Sequence, residues 1–166
     1  MIRPMREALT ATAFAGYGEV VEIPETGGRI INRGTAWRYD DVAALALDRD
    51  GGRALLSLFR VQPAHFPLRC TGLERHPLSS QLFLPLGERP FLIVVALGRD
   101  APDPATLRVF VTNGHQGVNY APGTWHHPTI ALEVETDFLV LGRKDTHPAD
   151  NCDELPFQGD AVFELT

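Results

Sequence analysis

Long apolar runs are missing from this chain of 166 residues, and no signal-like segment opens it, so neither a membrane-spanning helix nor export is expected. Cysteine is scarce. Cys70 and Cys152 lie far apart, outside any metal-binding or redox spacing, which argues against a disulfide framework and for a reducing, cytoplasmic setting. Positive charge is also in short supply, with 15 Lys and Arg against 21 Asp and Glu and a formal net charge of -6. A chain of that balance repels a phosphate backbone, so nucleic acid is not an expected partner. Low-complexity tracts, short tandem repeats, a helix-turn-helix segment and a nucleophile elbow are likewise absent.

What the chain does contain is punctuation. Its 15 Gly and 13 Pro separate short runs of β-branched and aromatic residues, a pattern of many strands with tight connections. The pattern predicts an all-β protein with strands at 54–61, 81–85, 91–97, 107–112, 117–120, 129–134, 137–141 and 161–165. One short N-terminal helix is expected, capped by Thr10, running through Phe14 and ending near Gly16 or Gly18. The loops at 100–104 and 146–151 are too short to part domains, so one domain over 1–166 is expected. A domain of that length buries about two-thirds of the surface its unfolded chain exposes and needs no covalent staple.

The most informative stretch is Asn119-Tyr120-Ala121-Pro122-Gly123-Thr124-Trp125-His126-His127-Pro128. A Pro-Gly turn there throws a Trp-His pair onto a new extended segment. Neighbouring side chains on a strand face opposite ways, so only one of His126 and His127 enters an enclosed pocket. The spacing Pro122-Gly123-x-x-His126 resembles the second histidine motif of cupins, which makes His126 the inward residue and puts His127 on the rim. The upstream half of such a site is met by Glu74-x-His76, with Gln81 where cupins carry a carboxylate and Gly87 closing the segment. Glu74 and His76 share one strand face, and Pro77 with Ser79 and Ser80 can turn the chain before Gln81.

Longer strings narrow the resemblance. Leu73-Glu74-Arg75-His76-Pro77-Leu78, Gln116-Gly117-Val118-Asn119-Tyr120 and Trp125-His126-His127-Pro128 resemble the ureidoglycolate lyase family. So do Phe14-Ala15-Gly16-Tyr17-Gly18-Glu19-Val20, Arg60-Val61-Gln62-Pro63, Asp137-Phe138-Leu139 and Asn151-Cys152-Asp153, in order along the chain. The resemblance implies a cupin-like double-stranded β-helix, or bicupin barrel, usually a homodimer. It also implies cleavage of ureidoglycolate to glyoxylate and urea in purine and allantoin breakdown.

That elimination needs a base for the substrate hydroxyl, an acid for the departing urea nitrogen and a holder for the carboxylate. His126, His76 and Glu74 are the acid–base candidates. A guanidinium grips a carboxylate through two parallel bonds, so Arg75, Arg143, Arg38 and Arg60 compete for the third role. Arg75, lying between Glu74 and His76, points the other way on a regular strand and can instead anchor structure. Gln81, Asn119 and Tyr120 are further substrate-binding candidates, and Asn32 and Arg38 fall in a family-like segment that can cover the pocket. His65, His115 and His147 sit in loops without ligand-like spacing and read as surface residues.

Glu74, His76, Gln81 and His126 offer mixed oxygen and nitrogen donors, so they can hold a divalent ion, weakly because Gln81 is neutral, or serve without one. Two further functions fit the same residues: an amidohydrolase releasing ammonia, and a non-catalytic cupin that binds small carboxylates. A metal-dependent isomerase or dioxygenase would call for a carboxylate at position 81.

Overall fold

The structure, a computed structural model, describes residues 4–147, 150–156 and 163–165. In chain order the strands are β1 (Arg6–Ala8), β2 (Gly18–Val21), β3 (Arg29–Ile31), β4 (Ala36–Arg38), β5 (Arg53–Val61), β6 (Leu68–Cys70), β7 (Gly72–Arg75) and β8 (Gln81–Pro85). They continue as β9 (Phe91–Ala96), β10 (Arg108–Val111), β11 (Gly117–Tyr120), β12 (Trp125–His126), β13 (Ile130–Ala131), β14 (Thr136–Lys144), β15 (Asp153–Pro156) and β16 (Phe163–Leu165). Among the described residues one α-helix, α1 (Ala11–Phe14), stands near the start; the Thr10 side chain accepts from the Ala13 amide and caps it as expected.

A seven-stranded sheet, in the order β1-β10-β9-β12-β7-β15 with β13 also paired to β9, faces a five-stranded sheet in the order β2-β11-β8-β14-β5. From β7 onward the chain passes back and forth between the two layers, which is the double-stranded β-helix of the cupin type. Side chains of both sheets meet between them in a core that includes Phe83, Val118, Phe138 and Val140 from one layer and Phe91, Ile93, Val95 and Phe110 from the other. Phe138 stands edge-on to Phe91 across the layers, ring centroids 5.0 Å apart.

β9 explains its own sequence. All six of its residues are buried, because a second apolar cluster, including Leu73, Trp125 and Ile130, packs Leu92, Val94 and Ala96 on the opposite face. A strand covered on both sides reads as a continuous apolar run rather than an alternation. β5, by contrast, is an edge strand whose Leu56 and Leu58 are 63% and 72% exposed.

Expected and observed strands agree over β5, β8, β9, β10 and β11. The strand predicted at 129–134 shortens to β13, since the chain bends at Glu133 and Val134 to leave one sheet for the other, and β14 then runs on to Lys144. Of 161–165, residues 161 and 162 lie outside the described residues; β16 pairs with β6. Short strands that carry no alternation were not anticipated, among them β1, β2, β6 and β15. At Gly18 the backbone packs so closely on β11 that a Cβ would sit 2.1 Å from the Asn119 carbonyl oxygen, so only glycine fits that crossing.

Candidate functional site

β12 is two residues long and is clamped between β9 and β7, with His126 opposite Val95 on one side and Glu74 on the other. Its alternation turns His126 into the interior, where it is 1% exposed, and leaves His127 half-buried beside Pro128. The register sets Glu74 against His126, and the two side chains meet with Nε2 3.4 Å from a carboxylate oxygen. From the facing sheet, Gln81 at the start of β8 brings its amide oxygen to 3.2 Å from the same nitrogen. Tyr120, at the end of β11, lies flat against the His126 ring at 4.2 Å.

His76 follows β7 and places its ring 5.4 Å from that of His126. Both imidazoles are oriented from behind by a backbone carbonyl: Nδ1 of His126 lies 2.9 Å from the Thr124 oxygen, and Nδ1 of His76 lies 2.8 Å from the Asn151 oxygen. A carbonyl only accepts, so each Nδ1 carries the hydrogen and each Nε2 faces the shared centre. Nε2 of His76 is buried and makes no hydrogen bond there. One donor atom from each of Glu74, His76 and His126 lies within 4.8 Å of the others.

The electrostatics divide the three residues. Burial pushes the Glu74 carboxyl up, but the hydrogen bond from His126 and the attraction of that imidazole, with lesser help from the neighbouring rings of His76 and His127, outweigh it and hold the group below its ordinary range. Burial, and after it the charge of His126, pushes His76 down despite the opposing pulls of Asn151, Glu74 and Gln81. The centre therefore pairs an ionised carboxylate with a neutral imidazole whose free lone pair points inward. Desolvation, with Glu74 nearby, raises the Tyr120 phenol, which stays protonated.

A cavity of about 420 Å³ opens onto this centre, lined among others by His76, Ser79, Gln81, Arg143, Asn151 and Cys152. Arg143 lies inside β14, pairs with Asp145 and donates to the Arg49 carbonyl at 3.1 Å. Cys152 is no nucleophile: burial first, then nearby acidic groups led by Glu74, push its thiol up to about 11. A second opening on the other side of Gln81 is lined by Phe59, Arg60, Glu74 and Thr129, where Arg60 is held by Asp137 through bonds of 2.8 and 2.9 Å.

Of the residues singled out in the sequence, Glu74, His76, Gln81, Tyr120 and His126 converge, and Arg143 borders them. The others do not. Arg75 turns to the far face of the sheet, bonded to Asp153 at 2.8 Å and stacked over Trp125 at 4.6 Å, as strand alternation demands. Asn119 is buried but faces away from Tyr120, donating to Glu19 and to the Ala44 carbonyl at 3.0 Å each. Asn32 sits exposed at the tip of the β3–β4 hairpin, and Arg38 pairs with Asp40 on its flank, so neither covers the cavity. His65, His115 and His147 are exposed. Asn151 and Thr124, which set the two imidazoles, were not anticipated, because a carbonyl partner leaves no mark on residue type.

A model of the ureidoglycolate lyase family matches residues 2–164. The chain is 50% identical over 137 residues to the ureidoglycolate lyase of Burkholderia mallei, covering 82% of this chain and 80% of that one. It is 45% identical over 156 residues to that of Pseudomonas fluorescens, covering 94% and 92%. Among solved structures, a dTDP sugar isomerase from Desulfovibrio desulfuricans aligns over 87% of this chain and 85% of its own at 17% identity, with a TM-score of 0.49. With the match running nearly end to end and relatives 45–50% identical over most of their length, the chain belongs to the ureidoglycolate lyase family.

Proposed function

We propose that this protein is a ureidoglycolate lyase, which eliminates urea from ureidoglycolate to leave glyoxylate in purine and allantoin breakdown. The observation that carries this reading is the paired, carbonyl-anchored imidazoles beside one carboxylate, in a chain whose family and relatives are named for that reaction. His76, neutral with its Nε2 lone pair free, is the base that takes the proton of the substrate hydroxyl. The electrons of that O–H bond form the carbonyl of glyoxylate, the C–N bond breaks, and its electron pair goes to the urea nitrogen. That nitrogen takes a proton from His126, so one proton passes in net from oxygen to nitrogen. Both nitrogens of His126 face acceptor oxygens, an arrangement that the imidazolium satisfies, and Glu74 supplies its counter-charge.

Gln81 has an electrostatic rationale. With a carboxylate at that position the centre would carry net negative charge and repel an anionic substrate; the amide keeps the hydrogen bond without the charge. Arg143 is the cation bordering the cavity that best suits the substrate carboxylate, and the Tyr120 hydroxyl is a further donor at the ring of His126. Product analysis tests the proposal. Purified protein given racemic ureidoglycolate should yield urea and glyoxylate in equal amounts from one enantiomer, and His126→Ala should abolish turnover with the fold retained. Ammonia without urea would mean hydrolysis, and no product above background would mean a carboxylate-binding module.

The same centre also fits a divalent first-row ion. The buried, unpartnered Nε2 of His76 favours this second reading, since anchoring Nδ1 on a carbonyl is how proteins aim an imidazole at a metal. His76, His126, Glu74 and Gln81 would hold the ion, which would supply Lewis acidity toward the substrate oxygens. Dialysis against a chelator followed by metal add-back separates the readings: activity unchanged by both treatments supports the metal-free route.

We infer a homodimer formed over β5, whose outer edge is unpaired among the described residues and whose Leu56 and Leu58 stand exposed. Light scattering at micromolar concentration should return twice the chain mass. The free thiols of Cys70 and Cys152 suit the cytoplasm, and the net charge of -6 disfavours nucleic acid. Among the described residues no helix is long and apolar enough to cross a membrane.

A further inference from the structure

We propose that Asn151 is a positioning residue for His76, fixing its tautomer and aim; this inference rests on the proposed lyase site. Asn151 lies just before β15, is 4% exposed, and turns its backbone oxygen and both side-chain polar atoms to the segment that joins β7 to β8. Its backbone oxygen takes the hydrogen of His76 Nδ1 at 2.8 Å. Its side-chain oxygen accepts from the Leu78 amide at 2.7 Å, and its side-chain nitrogen donates to Ser79 Oγ at 2.8 Å. One residue thus grips His76, Leu78 and Ser79 together.

The grip has a direction. Pro77 has no amide hydrogen to pin the turn from within, so the segment from His76 to Ser79 relies on outside partners. Besides Asn151 these include Gly123, whose amide donates to the His76 carbonyl at 2.9 Å, and Arg49, which reaches the Pro77 carbonyl at 3.5 Å. Each of these bonds ends on the backbone and not on the imidazole ring. The pairing of β15 begins at Asp153, opposite Arg75, so among the described residues the Asn151 side chain is what registers its own carbonyl against Nδ1. With that carbonyl displaced, the neutral ring can place its hydrogen on either nitrogen, and the form with Nε2–H has no lone pair for the substrate hydroxyl. An aspartate at 151 still accepts from Leu78 and can accept from the Ser79 hydroxyl, whereas an alanine does neither.

The test compares wild type, Asn151→Ala and Asn151→Asp by ¹⁵N-edited NMR of the histidine rings without substrate, alongside steady-state kinetics. In wild type, His76 should show protonated Nδ1 and unprotonated Nε2. Asn151→Ala should give a mixture of the two tautomers and a kcat/KM lower by about 10- to 100-fold, by analogy with the outer-shell partners that orient imidazoles at metal sites. Asn151→Asp should restore the single tautomer and most of kcat, with KM raised by the carboxylate it adds to the cavity lining. Asn151→Ala that melts earlier yet keeps the wild-type ring pattern would overturn the proposal and leave Asn151 a purely structural residue. So would a wild-type His76 already protonated at Nε2. Because the ring spectra need no turnover, an inactive wild type would refute the lyase reading while the tautomer comparison still decides the role of Asn151.

Discussion

Replacing Glu74 by glutamine keeps the shape of the site and removes one charge. Glu74 Oε1 lies 3.4 Å from Nε2 of His126, with its side chain 22% exposed. Unit charges at that distance interact by about 5 kcal/mol at an effective dielectric constant near 20, and hydration of the open edge of the carboxylate reduces this to roughly 2–3 kcal/mol. The imidazolium that donates to urea loses that support in Glu74→Gln. We expect kcat/KM for urea and glyoxylate release at pH 7 to fall about 30- to 160-fold, with the far-ultraviolet spectrum unchanged. Stability should follow the same charge. The folded carboxyl is held below its ordinary value of 4.5, so its contribution is complete above that pH and is lost as pH falls through the lower folded value. The wild type should thus unfold at higher denaturant than Glu74→Gln at pH 7, and the two curves should converge in acid. A variant within threefold of wild-type activity would refute the assignment of Glu74 as counter-charge.

Gln81→Glu should raise KM about tenfold by adding a negative charge where the substrate carboxylate approaches, and should tighten binding of a divalent ion measured by calorimetry; an unchanged KM would count against the electrostatic rationale for the amide. Asn119→Ala should cost about 1–3 kcal/mol of stability, because Glu19 and the Ala44 carbonyl lose a buried partner, while kcat/KM stays within about twofold of wild type. A large loss of rate at full stability would return Asn119 to the site. Phe138→Ala, which empties a fully buried position packed edge-on against Phe91 and Phe83, should lower unfolding free energy in urea by about 3–5 kcal/mol, and a loss below 1 kcal/mol would show that the two sheets do not share this core.

The residues that make the centre were legible because chemistry and strand period agree on them. Glu74 and His76 are two apart and therefore co-facial, and His126 differs from His127 by one pleat. The same period predicted that Arg75 faces away, and it does so onto Trp125. Asn119 and Arg38 misled for a different reason: a polar residue near a motif looks the same whether it faces substrate or ties down a loop, and only the fold supplies Glu19 or Asp40 as its partner. The long strands β5, β9 and β14 announced themselves by length and apolar content. The three-residue strands β1 and β6 are held by neighbours remote in sequence, β10 and β16, and local pattern does not encode such pairing.

The donors of the centre belong to opposite layers, with Glu74, His76 and His126 carried by the seven-stranded sheet side and Gln81 and Tyr120 by the five-stranded one. Anything lodged among them therefore adds a rivet between two sheets that otherwise adhere mainly through greasy contact, with the Gln81–His126 hydrogen bond crossing between them. Occupancy becomes a mechanical property of the barrel. At a ligand concentration a hundredfold above its dissociation constant, the folded form gains about 2.7 kcal/mol, so a thermal-shift screen with small 2-hydroxy and 2-oxo acids reads affinity directly as resistance to the layers parting.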